Sequence, residues 1–439
     1  MIESIKEEYK EKEPYLNKLL EEDNYIKLRE ELSALLKKDP NHRQCLLRLA
    51  IAYRMLKNYS LSESIYSRII QLDPKDPYGY CVYAELLFHV GMIERSVRQY
   101  DKALDVKNNY FFASFGKAHS LVKMDDNKGA IECFKKALKD WPNHPNYRVV
   151  KKGLAHAYMR IKMYKEASDI LHGIISKKYK DSQENTHNYL ECLYFLGDEV
   201  SFYKALDEDI SLKGKSADIA SISSHAAVRF DREDKYPFCN KPLEYFYQKN
   251  LLTNNTLTKE DLNNFVREGE IDSVVPRRQM LLENGKQTSG DIFSKGAVNK
   301  SQNFQNFLKI INNEIKNYKT SFSGDCDLIS CFPEDYSVKG WLIQINSNGY
   351  LKPHIHKMGW ISGSIYLDMP EKRKGNEGNI KFSTAGNEYP NNGKLFPEKI
   401  VNLSIGDIIL FPSSLFHSTI PYESSERRIT LAFDVIPNK

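Results

Sequence analysis

The feature that most limits how this chain can fold is a period of 34 residues in its first half. The period recurs at one turn position and at two small-residue positions. The three sets are Pro40, Pro74, Asn108 and Pro142; Ala50, Ala84 and Ala118; and Ser62, Ser96 and Ala130. Members of the second and third sets lie 12 residues apart within each unit, a spacing expected where the two helices of a hairpin approach closely. The period therefore predicts stacked helical hairpins that bury their apolar faces against their neighbours.

A repeat length of 34 residues is typical of tetratricopeptide repeats. Large side chains fill the alternate positions of the expected core: Tyr53, Leu87, Leu121 and Tyr158 on the first helices, and Tyr66, Tyr100, Phe134 and Leu171 on the second. A fourth unit keeps the internal spacing from Ala155 to Ala167 with its phase shifted by three residues, so a longer loop is expected before it. Residues 28–35 fit the second helix of a degenerate preceding unit. We therefore expect an all-α solenoid over residues 1–215.

The second half of the chain has a different sequence pattern. Residues 216–239 are expected to form a linker or a capping helix, and 240–439 a second domain. Amphipathic helices are predicted from Thr258, which starts a capping signal, and between Ser301 and Tyr318. Short segments separated by Gly, Pro and Asn then predict strands at 341–346, 362–368, 378–383, 399–403, 407–411 and 428–434.

Many short strands without intervening helices favour a jelly-roll or barrel. The expected fold class is α+β multidomain, in which a tetratricopeptide solenoid precedes a double-stranded β-helix (jelly-roll) domain with flanking helices. The length of 439 residues and the ordinary composition, with 41% hydrophobic and 28% charged residues, suit two or three globular domains.

The charge and the cysteines exclude some classes of function. A net charge of +5 without a dense basic block gives no reason to expect a nucleic-acid partner. Since there is no signal-peptide pattern and no stretch of about 18 apolar residues, we expect a cytoplasmic protein without a membrane partner. The seven cysteines contain no C-x-x-C pair, which predicts reduced and mostly buried thiols.

Three histidines near the C-terminus form the candidate catalytic and metal-binding site. His354 and His356 lie two residues apart, so on a strand both point the same way and can bind one ion. His417 follows the apolar segment 407–411 and is the only other histidine after His225, which makes it the candidate third ligand. Imidazole nitrogen suits Fe, Zn, Cu and Ni, so these residues alone leave the metal open.

An arginine on the last predicted strand is the candidate anion clamp. Arg428 alternates with Thr430, and a guanidinium there can hold a carboxylate through two charge-assisted hydrogen bonds. A cation next to a divalent metal favours an anion between them, such as a dicarboxylate co-substrate. Tyr366 is a further candidate co-substrate contact, with core packing as the alternative. Arg427 is the alternative clamp, and either arginine can instead form a surface salt bridge. Asp434 can either hydrogen-bond to the outer side of a metal ligand or cap a strand end, and we expect the second.

The second half also carries a set of motifs at residues 287–293, 340–341, 353–356, 359–366, 406–417 and 428–434. The set resembles the bacterial 2-oxoglutarate/Fe(II)-dependent oxygenases of the H-x-H type, which follow tetratricopeptide repeats. The resemblance covers residues 257–439. It implies a double-stranded β-helix, Fe(II) held by the three histidines, O₂, and 2-oxoglutarate with its distal carboxylate at Arg428 and Thr430. Most members of the wider superfamily have Asp or Glu at the position of His356, so this metal would keep one more positive charge.

Two classes of function follow. The favoured hypothesis is a dioxygenase that hydroxylates a substrate recruited by the repeats, and a protein or peptide substrate suits their concave face. A small molecule or sugar, with repeats used for assembly, is the rival within this class. The other class is a non-catalytic repeat scaffold with a metal-binding jelly-roll domain. A three-histidine dioxygenase that does not use 2-oxoglutarate is the remaining alternative.

Overall fold

The computed structural model describes residues 2–176, 182–212, 215–271, 281–288, 290–294, 301–324, 326–371, 373–386 and 389–438. Ser289, in the motif at 287–293, lies outside the described residues. The chain forms two compact units, Met1–Lys177 and Lys178–Lys439. The predicted domain limits at 215/216 and 239/240 stay a prediction.

The first unit consists of consecutive helices that pack in order along the chain. They are α1 (Ile2–Glu21), α2 (Tyr25–Lys38), α3 (Arg43–Met55), α4 (Tyr59–Leu72), α5 (Pro77–His89), α6 (Ile93–Val106), α7 (Phe111–Lys123), α8 (Asn127–Asp140), α9 (Tyr147–Arg160) and α10 (Tyr164–Ile175). This arrangement confirms the predicted helical solenoid. The loop 141–146 before α9 is longer than the loop 107–110 before α7, as the shift in phase predicted.

Small residues 12 apart contact each other inside the hairpins α3–α4 and α5–α6. Ser62 Oγ donates a hydrogen bond to Ala50 O, and Ser96 Oγ to Ala84 O, both at 2.8 Å. All four residues are fully buried. The large residues predicted for the core are also buried, except Tyr53, which is partly buried. The 34-residue pattern thus marks the positions where the two helices of a hairpin contact each other closely.

The second unit begins with three helices and carries three more among the described segments. They are α11 (Ser182–Leu196), α12 (Glu199–Ser211), α13 (Ala217–Phe230), α14 (Lys259–Glu268), α15 (Gln302–Ser321) and α16 (Asp327–Ser330). The predicted start of α14 is correct, since Thr258 and Asp261 form a reciprocal capping box. α15 buries Phe304, Phe307 and Ile311 on one face, as its apolar spacing predicted.

The strands of the second unit are β1 (Tyr247–Asn250), β2 (Leu282–Gln287), β3 (Tyr336–Leu351), β4 (Ile361–Asp368), β5 (Ile380–Ser383), β6 (Glu398–Val401), β7 (Asp407–Pro412), β8 (Phe416–Thr419) and β9 (Arg428–Pro437). Each of the six predicted strands is present with shifted ends. β1, β2 and β8 were not predicted, because each is short or polar and lacks a clear apolar pattern.

These strands form two antiparallel sheets, ordered β1-β7-β4-β9-β3-β2 and β6-β5-β8. Apolar residues of both sheets form one cluster between them, including Tyr366 of β4, Phe382 of β5 and Phe411 of β7. The opposite face of the larger sheet, with Leu431 and Phe433, belongs to a cluster that contains residues of α14 and α15. The expected α+β organisation, with helices flanking a two-sheet domain, is therefore confirmed.

Two sequence expectations concern the whole chain. Across the described segments, every helix is too short or too polar to cross a bilayer. All seven cysteines are free, and five of them are buried.

Candidate metal centre

The H-x-H segment lies directly after the end of β3 and is anchored to β8. His354 and His417 exchange two backbone hydrogen bonds of 3.1 Å, and His356 N donates to Ser413 O at 3.2 Å. The expectation that the H-x-H motif lies on a regular strand is wrong, because His354 makes a single isolated bridge and the next residues are irregular. His417 lies on β8, which follows β7 after a short turn.

The structure brings the three predicted ligands together. The candidate ligand atoms of His354, His356 and His417 all lie within 4.8 Å of one another. The Nε2 atoms of His354 and His356 are 3.3 Å apart, and the three pairs of ring centroids are separated by 4.3–5.2 Å. His354 and His356 lie in the loop after β3 of the larger sheet, and His417 lies on β8 of the smaller sheet. The three imidazoles thus face one point.

Hydrogen bonds on the other side of each ring fix its orientation. His354 Nδ1 bonds to Lys352 O at 2.7 Å, and His417 Nδ1 to Leu415 O at 3.2 Å. Because a carbonyl oxygen only accepts, each Nδ1 carries the proton and each Nε2 keeps its lone pair. Burial lowers the pKa of His354 to about 4 and that of His417 well below its ordinary value. Both imidazoles are therefore neutral at physiological pH, as metal ligation requires.

The third imidazole is bonded to a carboxylate. His356 Nδ1 lies 2.5 Å from Asp434 Oδ1, which also accepts a hydrogen bond of 2.7 Å from Ser362 Oγ. The prediction that Asp434 caps a strand end is wrong, since β9 continues to Pro437. Asp434 alternates with Arg428 along β9, so both side chains lie on the inward face of the strand. This alternation was the sequence signal for the contact between Asp434 and His356.

A cavity of about 340 Å³ contains the three histidines and the predicted anion-binding residues. Alternate residues of β9 line it: Arg428, Thr430, Ala432 and Asp434. Tyr366 lines it from β4. Among the described residues, neither the Tyr366 hydroxyl nor Thr430 Oγ1 has a hydrogen-bond partner, although both atoms are buried. Buried hydroxyls without partners are unusual, and both of these can bond to a water molecule or to a polar ligand in the cavity.

The two neighbouring arginines have different surroundings. Arg428 is 2% exposed, donates from Nε to Gly378 O at 3.2 Å, and lies with its guanidinium carbon 5.0 Å from the centre of the Tyr366 ring. Burial lowers the pKa of Arg428 and raises that of Tyr366 to about 12. The Arg427 side chain is 40% exposed and pairs with Asp368 at 3.5 Å. Arg428, and not Arg427, faces the cavity.

Sequence reasoning missed several residues of the cavity wall. The Trp341 ring stacks on His356 with 5.8 Å between centroids, and Gln287 and Lys357 also line the cavity. Trp341 could have been found from the alternation of β3, since it pairs with inward-facing Ala432 of β9. Gln287 and Trp341 fall within the motifs at 287–293 and 340–341, but no position at the cavity was predicted for either.

Comparison with known proteins separates the two parts of the chain. Residues 339–434 match the family model described as "Putative 2OG-Fe(II) oxygenase", and residues 44–76 match the tetratricopeptide-repeat model. The first match contains all three histidines and Arg428. No curated protein matches the chain.

Similar solved structures include a tetratricopeptide repeat protein from Parabacteroides merdae, with 14% identity and a TM-score of 0.40, covering 54% of this chain and 90% of that one. PilF from Pseudomonas aeruginosa has 13% identity and a TM-score of 0.41, covering 50% and 99%. Structures with such low TM-scores support no conclusion about this chain. The family matches identify a chain with tetratricopeptide repeats in its first part and a C-terminal domain that matches the 2OG-Fe(II) oxygenase family.

Proposed function

We propose that the chain is a 2-oxoglutarate- and Fe(II)-dependent dioxygenase that hydroxylates a protein or peptide substrate recruited by its repeats. One observation carries this proposal. The three imidazoles share one cavity with a buried arginine and two buried hydroxyls that have no partner in the described structure. A metal and a dicarboxylate together would satisfy both sets of groups.

The histidines suit Fe(II). Three neutral imidazoles on one side of an ion leave further positions open, which is the arrangement that non-haem iron oxygenases need. We assign His354, His356 and His417 as metal ligands through Nε2, because their Nδ1 atoms are already bonded. The family match supports iron over the other metals that imidazole accepts.

The other end of the cavity suits the carboxylate of 2-oxoglutarate. In the described part of the chain, Arg428 has no carboxylate within salt-bridge distance, and a buried cation without a counter-ion is costly. An anion at the guanidinium would supply that counter-ion and would accept hydrogen bonds from Thr430 Oγ1 and the Tyr366 hydroxyl. We assign these three residues as the co-substrate contacts.

The protein's own contribution to the reaction is orientation and exclusion of water. If bound, Fe(II) and 2-oxoglutarate would supply the activation of O₂, with one oxygen atom entering succinate as CO₂ leaves and the other entering the hydroxyl group of the product. Arg428 and Thr430 would fix one end of the co-substrate, and the imidazoles would fix the metal. Apolar walls, including Ile343, Ile380 and Phe411, keep the cavity poor in competing water.

The repeats offer a surface for a peptide substrate. A groove of about 390 Å³ runs along α5 and α7 and is lined by Phe88, Phe115 and the exposed side chains of Tyr78 and Phe112. Exposed aromatic side chains are enriched at protein-binding surfaces, because they bury a large apolar area on contact. We propose that this groove recruits the substrate.

An anaerobic titration tests the proposal. Purified protein with Fe(II) and 2-oxoglutarate should show a weak visible charge-transfer band, and O₂ should then release succinate. His354→Ala and His417→Ala should abolish both signals. His172→Ala, which changes an exposed histidine of α10 outside the proposed groove, should change neither.

The outcomes separate the alternatives. One equivalent of bound metal with no band and no succinate would refute the use of 2-oxoglutarate and leave a three-histidine dioxygenase or a metal-binding scaffold. Full metal occupancy in His417→Ala would refute the ligand assignment.

A further inference from the structure

The carboxylate of Asp434 lies behind one of the three histidines. Asp434 is 8% exposed, and its Oδ1 lies 2.5 Å from His356 Nδ1. His354 and His417 instead donate from Nδ1 to neutral carbonyl oxygens. Within the described structure, His356 is therefore the one imidazole of the three whose Nδ1 bonds to an anionic group.

This difference bears on the charge of the site. Three imidazole ligands bring no negative charge, so a bound divalent metal would keep both of its positive charges. Asp434 supplies one negative charge, and it lies on the other side of the His356 ring from Nε2. A carboxylate hydrogen-bonded to the outer nitrogen of a ligand also makes that ligand a stronger base.

We propose that Asp434 is a positioning residue that acts through His356. It holds the imidazole with Nε2 toward the metal and returns to the site the negative charge that a ligating carboxylate would supply. This inference rests on the proposed function, because it requires a divalent metal at the three histidines.

The surroundings of Asp434 argue against a purely structural role. Its backbone lies within a strand that is paired on both sides, opposite Lys339 of β3 and Ser362 of β4, so β9 does not need the carboxylate to form. Ser362 Oγ also contacts Ser413 Oγ at 2.8 Å and would keep a partner without Asp434. The carboxylate is thus held by a neutral hydroxyl in a fixed direction, facing His356.

The test measures metal affinity in the full chain, without co-substrate or turnover. Co(II) is titrated anaerobically into metal-free protein, and its visible d–d absorption reports occupancy. Asp434→Asn keeps the size of the side chain and an oxygen that accepts from His356, while it removes the charge. We expect affinity for Co(II) to fall about 10- to 100-fold, which is the usual effect of losing such a partner. Asp434→Ala should lose at least as much.

Asp407→Asn is the matched control. Asp407 is 5% exposed, lies in the same unit, and accepts hydrogen bonds from Gln248, Asn250 and the backbone of Ser404. This variant removes one buried negative charge without touching the histidines, so Co(II) affinity should stay within about threefold of wild type.

Three results would overturn the inference or its basis. Wild-type affinity in Asp434→Asn would show that the charge has no role, and an equal loss in Asp407→Asn would show a general effect of charge. If wild-type protein binds Co(II), His417→Ala does not, and Asp434→Asn matches wild type, the inference fails while the metal site stands. If wild-type protein binds no Co(II), the proposed function fails and takes the inference with it.

A second measurement uses wild-type protein alone, in case Asp434→Asn does not fold. Proton NMR of the Co(II)-loaded chain should show three strongly shifted signals that vanish in D₂O, one for each Nδ1–H. Two such signals would mean that His356 does not bind through Nε2 with its proton toward Asp434, and the inference would be wrong.

Discussion

Replacing Arg428 by alanine should weaken binding of 2-oxoglutarate far more than replacing Arg427. Arg428 is 2% exposed and lines the cavity of the three histidines, so its hydrogen bonds to a carboxylate would not be screened by water. One charge-assisted hydrogen bond contributes roughly 1.5–3 kcal/mol. At about 1.4 kcal/mol per factor of ten, the dissociation constant should rise about 10- to 150-fold.

Arg427 is a control of the same residue type at the next position. Its side chain is 40% exposed and pairs with Asp368, and exposed pairs contribute about 0–1 kcal/mol. Since it lies outside the cavity, Arg427→Ala should change the dissociation constant less than about threefold. Arg428→Lys should fall between the two, because lysine keeps the charge and loses the planar fork that holds a carboxylate.

The assay follows the charge-transfer band of the Fe(II) protein as 2-oxoglutarate is added without oxygen. Metal affinity and the unfolding midpoint of each variant, measured before the titration, separate a lost co-substrate contact from a damaged fold. A larger effect of Arg427→Ala would place the clamp one residue earlier, on the opposite face of β9. Equal and small effects of both variants would refute an anion at this end of the cavity.

Three further predictions follow from other sites. Tyr366→Phe and Thr430→Val each remove a buried hydroxyl without a described partner, so the unfolding midpoint without co-substrate should hold or rise while the dissociation constant for 2-oxoglutarate increases about fivefold or more. Burial lowers the pKa of His225 to about 4 from an ordinary value near 6.5, so its contribution to stability is present above pH 6.5 and is lost as the pH falls toward 4. Because other buried histidines such as His354 also lose stability over that range, the test is the difference between variants: the loss measured by denaturant unfolding should be about 3 kcal/mol smaller in His225→Gln than in wild type. Ala84→Leu, inside a repeat hairpin, should lower the free energy of unfolding by about 1–3 kcal/mol, because the position has no spare volume.

The sequence was sufficient for the solenoid because a repeat shows the same physical constraint several times. Ser62 and Ser96 occupy equivalent places, and each donates to the carbonyl of a small residue 12 positions earlier. Larger side chains would separate the helices at the same height in each hairpin. The second unit offers no such repetition, and a short polar strand such as β2 has too few apolar residues to stand out.

The sequence also predicted that the three histidines converge, but it did not show how each of them is held. Three histidines after a long interval without any were enough to predict convergence. The contact between Asp434 and His356 was only the less favoured alternative, because the carboxylate lies 78 residues after the histidine and becomes its neighbour only in the folded domain. Long-range contacts of this kind depend on strand order, which local pattern does not determine.

The arginine end and the histidine end of the cavity are built in different ways. This difference explains why the side-chain directions on β9 were predicted correctly and the strand placement of the H-x-H segment was not. Arg428, Thr430 and Asp434 lie on β9, which is paired along its length with β3 and β4, so alternation alone fixes the face that each side chain occupies. The H-x-H segment has no regular strand partner and is held by the bridge to His417 and the bond from His356 N to Ser413 O. Asp434 joins these two halves, since it belongs to the rigid strand and bonds to the ring of the loop histidine. The orientation of His356 Nε2 relative to Arg428 therefore depends on this carboxylate as well as on the backbone bonds of the loop, and we expect Asp434 to align the proposed metal and co-substrate ends of the cavity.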